Sequence, residues 1–388
     1  MAQAQVMYSG LMMNWSSNSL SRELIRRVVL VVLVLWCACG CCGVEGWGSS
    51  PSGGNNVVVP ALILFGDSTV DVGNNNFLGS MVRSDFLPYG RDFDTRTPTG
   101  RFTNGRMVAD FVATRLGLPM SLPYLHPNAT GQNIVKGINF ASAASGYLNT
   151  TSSFLKVAPA FTQLEMFEGY KVKLAGVVGP AKASSIVSEA LYFVSAGSND
   201  YILNYFVNPV LQNRYSVSEF NALLLSRQTE FVTKLHTAGA RKIGILGFPP
   251  VGCIPAQITI FGSIEQKTCV EDQNAVAVAY NKGLQAAIPK WQASLPGSQL
   301  LYLDTYSLLY DIFNNPSKYG YTSTRRACCG EGLISTAGFC NENSIGTCSD
   351  ASKYVFFDSL HPTQSIYKRA ADVYHGQLVS YFKIKSAF

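Results

Sequence analysis

The chain has 388 residues, 14% of them charged and 47% hydrophobic, with 34 glycines and a formal net charge of +6. Against a usual charged share of roughly 25%, this is the composition of a well-cored globular protein with a weakly charged surface. The Lys and Arg residues are spread along the sequence and form no runs, so nothing here requires a nucleic-acid partner.

At the N-terminus, Arg22, Arg26 and Arg27 precede an apolar run from Val28 to Cys42. That run is shorter than the roughly 18–20 apolar residues needed to span a bilayer. Residues 1–46 therefore read as an N-terminal lead and secretory signal peptide, with a retained membrane anchor as the competing reading. Cleavage is expected between Cys39 and Gly48, and Met7, Met12 and Met13 are alternative starts. Residues 47–56, rich in Gly, Ser and Asn, read as a flexible lead-in. Residues 57–384 show no internal repeat and no dividing linker, and are expected to form a single domain.

Short apolar runs recur through that domain: Pro60 to Phe65, Ile134 to Phe140, Ala190 to Ala196, Lys242 to Phe248 and Gln299 to Leu303. Several are nearly continuous, as in strands of a parallel sheet buried on both faces. Val217 to Ala238 and Glu271 to Leu295 instead carry apolar residues at three- and four-residue spacings, which predicts amphipathic crossover helices. The alternation implies an α/β fold, a three-layer α/β/α sandwich around a mainly parallel central sheet.

Cys37, Cys39, Cys41 and Cys42 would leave with the signal, and Cys253, Cys269, Cys328, Cys329, Cys340 and Cys348 remain. An even set in an exported chain reads as disulfides; Cys253 is expected to pair with Cys269 and the other four among themselves. A zinc site is the competing reading, but there is no Cys-x-x-Cys pair and no interleaved His. Asn128-Ala-Thr130 and Asn149-Thr-Thr151 are glycosylation sequons.

In open α/β sheets ligands sit at the carboxyl ends of the strands, so the residues after each predicted strand are informative. The first run is followed by Gly66 to Asn76 (GDSTVDVGNNN), the second by Ala141 to Gly146 (ASAASG) and the third by Gly197 to Asp200 (GSND). Near the C-terminus, Tyr354 to Phe357 leads into Asp358 to Pro362 (DSLHP). These four blocks, in this order, resemble the GDSL or SGNH hydrolase family, most closely its plant esterase/lipase branch, and Phe248 to Cys253 and Ala327 to Gly330 resemble that branch too. The resemblance runs from Val57 to about Phe382 and implies a flavodoxin-like sheet and a secreted carboxylic ester hydrolase.

The residues support the chemistry independently. A serine hydroxyl is a poor nucleophile until a base takes its proton. Of four histidines, His126, His236 and His375 are read as lying in loop-like or helical contexts without an orienting carboxylate, whereas His361 follows Asp358 by three residues, a spacing that brings both side chains to one side of a helical turn or tight loop, and Pro362 pushes it out of helical geometry. The resemblance gives the same roles: Ser68 nucleophile, His361 general base and acid, Asp358 orienting the imidazole. It also implies an oxyanion hole made by the Ser68 N–H, a backbone N–H of the second block and the Asn199 side-chain amide. The second-block position where the family presents Gly corresponds here to Ala144, with Gly146 two residues later. Thr69 stands in place of the Leu for which the family is named.

Competing readings remain at this stage. Ser68 could be a helix N-cap, and Asp358 and His361 a surface turn or metal ligands. Asn74, Asn75 and Asn76 read as turn residues, and Asp67 as a partner of local backbone. An α/β-hydrolase would need Gly-x-Ser-x-Gly, which Val70 breaks. The chemistry needs no cofactor and no metal. The expected partner is a small-molecule, lipid or polysaccharide ester, with a carbohydrate O-acetylesterase, a cuticle- or phenolic-ester enzyme and a catalytically idle glycoprotein as alternatives. Aromatic residues including Phe86, Tyr89, Phe93, Phe102, Tyr205, Phe206 and Tyr215 either wall an acyl cleft or cover the sheet; oligomeric state is not legible.

Overall fold

The computed structural model describes residues 58–152, 154–262, 268–330, 336 and 339–385. The signal peptide, the lead-in, Cys37, Cys39, Cys41 and Cys42 lie outside them. The strands are β1 (Leu62–Gly66), β2 (Gly137–Asn139), β3 (Leu191–Ser195), β4 (Lys242–Leu246) and β5 (Gln299–Leu303). All pair in parallel, in the order β2-β1-β3-β4-β5, the flavodoxin-like arrangement, in which ligands gather beyond the strand ends near β1 and β3. The second strand is shorter than its apolar run because residues Gly131–Ile134 close a 3-10 turn, whose Ile134 carbonyl accepts the Tyr170 hydroxyl at 3.1 Å.

Alternation along the buried strands divides the core into two layers. Ile63 and Phe65 of β1 and Tyr192 and Val194 of β3 face α2 (Ala160–Val178), α3 (Pro180–Glu189), α4 (Val217–Thr237) and α5 (Glu271–Ser294). Leu62, Leu64, Leu191 and Phe193 face α1 (Val108–Arg115) and α7 (Gln364–Phe382). A further helix, α6 (Tyr306–Asn314), follows β5. The predicted crossover helices match α4 and α5 to within a residue at their C-termini. Ser216 starts α4 with a reciprocal cap, its hydroxyl accepting the Glu219 N–H while the Glu219 carboxylate accepts the Ser216 N–H at 2.8 Å, so two otherwise unpaired helix-end donors are satisfied.

Full burial of Phe65 between Phe140, Phe167 and Phe231 contributes roughly 1.5–3 kcal/mol for such a side chain and fixes the end of β1. The next residue must be glycine. Gly66 has φ +148°, and a Cβ there would lie 2.0 Å from the Ser195 carbonyl oxygen. That close approach lets the Asp67 N–H continue the ladder to Ser195 at 3.0 Å and delivers Ser68 to the rim of the sheet. Among the described residues no helix is long and apolar enough to cross a membrane.

Three disulfides link Cys253 to Cys269, Cys328 to Cys348 and Cys329 to Cys340. The last two anchor the approach to Asp358: the N–H groups of Cys328 and Cys329 donate to the carbonyls of Phe356 and Phe357 at 3.0 and 2.6 Å. Both sequon asparagines, Asn128 and Asn149, are exposed.

Candidate active site

Past β1 the chain turns sharply. The Asp67 carbonyl accepts the N–H groups of Val70 and Asp71, and the Asp67 carboxylate accepts the N–H and hydroxyl of Thr69 at 3.0 and 2.7 Å. Asp67 is therefore the local backbone partner that its position predicts. Burial pushes its carboxyl above the ordinary value, opposed by the Thr69 hydrogen bonds. Thr69 also bonds the Ser195 hydroxyl at 2.8 Å, tying the turn to the end of β3. Ser68 begins no helix; its hydroxyl meets His361 Nε2 at 2.8 Å.

His361 Nδ1 lies 2.9 and 2.8 Å from the two Asp358 oxygens. The spacing of three works because Asp358 Oδ1 also accepts the N–H groups of Leu360 and His361 at 2.8 and 2.7 Å, so the carboxylate closes its own turn. Oδ2 accepts the Tyr89 hydroxyl at 2.7 Å and the Thr336 hydroxyl at 3.1 Å. Burial opposes ionisation of Asp358, but the His361 charge and the hydrogen bonds from His361, Tyr89 and Leu360 outweigh it and hold the carboxyl below its ordinary value. Serine, imidazole and carboxylate thus form one hydrogen-bonded line, with the carboxylate fully buried.

The aromatic-rich segment before α1 clamps this line. Phe102 packs on the His361 ring with centroids 4.9 Å apart. Next to it, the Thr103 hydroxyl donates to the Pro362 carbonyl at 2.9 Å, and Asn104 Oδ1 accepts the Gln364 N–H at 2.9 Å. The clamp is held by a two-pronged buried ion pair, Arg101 to Asp110 at 2.7 and 2.8 Å, while the same Asp110 carboxylate accepts the Met107 N–H at the start of α1. Of the aromatic residues named above, Phe102 reaches the cavity beside Ser68. Tyr89 serves Asp358, and Tyr205 and Phe206 pack on Tyr201, as sheet cover.

The second block is positioned from below. Asn74 and Asn75 are more than turn residues: both are buried. The Asn74 amide donates to the carbonyls of Asn139 and Ala141 at 2.9 and 2.8 Å, and the Asn75 amide to Ala143 at 3.1 Å. Asp71 accepts the N–H groups of Gly73, Asn74 and Ala143 at 2.8, 2.7 and 2.9 Å; burial nonetheless raises its carboxyl to about 6. Only Asn76 keeps a loop role, donating to the Thr99 carbonyl at 3.2 Å. Gln163 of α2, fully buried, receives the Gly66 N–H and donates back to the Gly66 carbonyl, both at 2.9 Å.

These bonds hold Ala144 at φ +64°, a left-handed conformation that costs an alanine energy, on the wall of the cavity that Ser68 and Asn199 also line. Gly146 has a different duty. A Cβ there would lie 2.4 Å from Asp200 Oδ1, and Asp200 accepts the N–H groups of Tyr147 and Leu148 at 2.8 and 3.0 Å and the Thr151 hydroxyl at 2.6 Å. Asn199 is right-handed, φ −67° and ψ −25°, so the backbone there makes no demand for asparagine. Its amide donates to the Ser145 carbonyl at 3.0 Å, which leaves the second N–H of the same group for another acceptor.

Of the remaining histidines, His126 accepts the Asn128 N–H, His236 meets the Pro296 carbonyl, and His375 lies on α7, where burial lowers its pKa and Asp372 opposes the shift. Asp372 precedes His375 by the same three residues that separate Asp358 from His361, so spacing alone does not single out His361; its bonds to Asp358 and Ser68 do.

The profile of the GDSL-like lipase/acylhydrolase family matches residues 62–373, from β1 through the Asp358 and His361 turn. Among similar proteins, the Arabidopsis thaliana GDSL esterase/lipase APG is 44% identical over 82% of this chain and 91% of its own length. A further GDSL esterase/lipase of that plant is 38% identical over 95% of this chain and 99% of its own length. With the parallel sheet and the serine turn at its carboxyl edge, these matches make the chain a member of the GDSL-like lipase/acylhydrolase family.

Proposed function

We propose that the protein is a secreted serine esterase that cleaves carboxylic esters through an acyl-enzyme on Ser68. The supporting observation is the unbroken line of hydrogen bonds from Asp358 through His361 to Ser68, at the wall of a cavity. In the first step the Ser68 oxygen bonds the ester carbonyl carbon as its proton passes to His361 Nε2. Asp358 fixes the imidazole with Nδ1–H inward and stabilises the imidazolium. The oxyanion would be met by the N–H groups of Ser68 and Ala144 and by the second Asn199 amide hydrogen, all water-shielded donors where charge develops. The imidazolium then protonates the leaving alcohol, and water, activated by the same base, releases the acid and restores Ser68.

Export is part of this reading. The charged and apolar regions before residue 46, three disulfides and two exposed sequon asparagines fit an oxidising, glycosylating route. Glycosidase digestion of the protein from culture medium should shift its mass; a protein retained unglycosylated in the cytosol would contradict export.

The esterase reading is tested with nitrophenyl butyrate. Ser68→Ala and His361→Ala should each lower kcat by about 10⁴-fold or more while the folded state, followed by near-ultraviolet circular dichroism, persists. Hydrolysis retained by Ser68→Ala would overturn it.

A further inference from the structure

The peptide between Ala143 and Ala144 is gripped from one side by a single buried side chain. Its carbonyl accepts a hydrogen bond from Asn75 Nδ2 at 3.1 Å, and the same nitrogen donates to the Val82 carbonyl at 2.9 Å. Asn75 Oδ1 accepts the Ser142 hydroxyl at 2.5 Å. Both amide hydrogens and the amide oxygen are therefore engaged, which leaves this buried side chain one orientation. The preceding peptide is held as well, because the Ala143 N–H donates to Asp71 Oδ2 at 2.9 Å.

In a trans peptide the C=O and the N–H point to opposite sides of one plane. The Ala143 carbonyl faces Asn75, so the N–H of Ala144 points away from Asn75. Ala144 lines the cavity with Ser68 and Asn199, and among the described residues its N–H makes no hydrogen bond. The Ala144 backbone itself opposes this arrangement. Its φ of +64° is a conformation disfavoured by roughly 5- to 30-fold for a residue with a Cβ. Turning the 143–144 peptide over by half a turn would bring that φ into the negative range that alanine prefers. It would also break the bond to Asn75 and exchange the N–H for a carbonyl oxygen, which repels an oxyanion where the N–H attracts it. Local strain thus favours one orientation of this peptide and Asn75 the other.

We propose that Asn75 is a positioning residue for ester hydrolysis: by holding the Ala143 carbonyl it locks the 143–144 peptide with the Ala144 N–H toward the oxyanion, against the strain of a left-handed alanine. The inference rests on the esterase reading, in which that N–H is an oxyanion donor.

The test couples the two positions, with nitrophenyl butyrate as substrate. Asn75→Ala should lower kcat by about 10- to 100-fold, up to the loss expected for one oxyanion donor, with a much smaller change in KM because the contact strengthens as charge develops. Ala144→Gly makes the left-handed conformation free of strain. Added to Asn75→Ala, it should recover about fivefold or more of the lost kcat, and its benefit there should exceed its effect on the wild-type protein. A glycine at 144 has no means of repairing lost packing around Asn75, so the recovery separates a peptide lock from general support. Asn75→Ser, which keeps a hydroxyl donor for only one of the two carbonyls, should behave in the same way to a smaller degree and serves if Asn75→Ala does not fold. A folded Asn75 variant with wild-type kcat, or a loss that Ala144→Gly does not recover, would overturn the lock. Failure of the esterase reading looks different: the wild-type protein itself then cleaves no ester, and Ser68 does not react with a fluorophosphonate.

Discussion

Tyr89→Phe separates support of the Asp358 carboxylate from simple packing. The substitution keeps the ring between Phe86, Phe102 and Phe357 and deletes the hydroxyl that donates to Asp358 Oδ2 at 2.7 Å. A hydrogen bond to a charged group contributes about 1.5–3 kcal/mol. Oδ2 keeps Thr336 and the imidazole, and Oδ1 keeps two backbone donors, so the lower end, about 1.5 kcal/mol, is expected. By linkage, losing this donor moves the Asp358 pKa upward.

The sign follows from the depressed native pKa of Asp358. Its charge stabilises the fold in full above the unfolded carboxyl value, near 4, and the contribution is lost as pH falls through the lower native value. Tyr89→Phe, with a smaller depression, should therefore be less stable than wild type by about 1.5 kcal/mol at pH 7, and this deficit should shrink as pH falls below about 4. Denaturant unfolding at neutral and acid pH measures both quantities. Because the backbone donors still orient the carboxylate, kcat should fall far less than the ~10⁴-fold seen when such a carboxylate is neutralised and the imidazole takes the wrong tautomer. No loss at pH 7, or an equal loss at both pH values, would refute the reasoning.

Three other outcomes follow from the same geometry. Asn199→Ala removes the proposed oxyanion donor and the 3.0 Å tie to Ser145; kcat should fall about 10²- to 10³-fold with a stability loss of only ~1 kcal/mol, and unchanged kcat would remove Asn199 from the site. Cys329→Ser with Cys340→Ser opens the bridge beside Phe357 and Asp358; unfolding free energy should drop by about 2–4 kcal/mol and kcat should fall with it, whereas full activity would show that the bridge does not position Asp358. Burial raises the Asp200 carboxyl to about 6, so its contribution to stability is complete below about 4 and lost as pH rises to 6. Asp200→Asn should flatten the wild-type decline in Tm across that window, and an identical slope in both proteins would contradict the assignment.

Much of this molecule was legible in its sequence because its strands are buried on both faces and therefore appear as apolar runs, each followed by the residues that reach the site. The serine, the histidine and its carboxylate could be read from blocks at strand ends and from a spacing of three that a self-closing turn explains. The supporting residues could not. Tyr89 meets Asp358 across 269 positions and Gln163 meets Gly66 across 97, and no local pattern marks either pair. Asn74 and Asn75 lie in a run that reads as a turn, and the 3-10 geometry there is real, but their amides point inward to carbonyls contributed by another block. The aromatic loops were read as either cleft wall or sheet cover, and nothing local in the sequence tells Phe102, which lines the cavity beside Ser68, from Tyr89, which bonds Asp358. The need for glycine at position 146 was not legible either, because the Asp200 carboxylate that a Cβ there would meet comes from a different block.

Mass-spectrometric mapping of a fluorophosphonate adduct tests the central claim most directly, because the reagent bonds only an activated nucleophile. The wild-type protein should carry one adduct, on the peptide containing Ser68, and Ser68→Ala should carry none, with His361→Ala labelled much more slowly than wild type. An adduct on any other residue, or labelling that survives Ser68→Ala, would contradict the account.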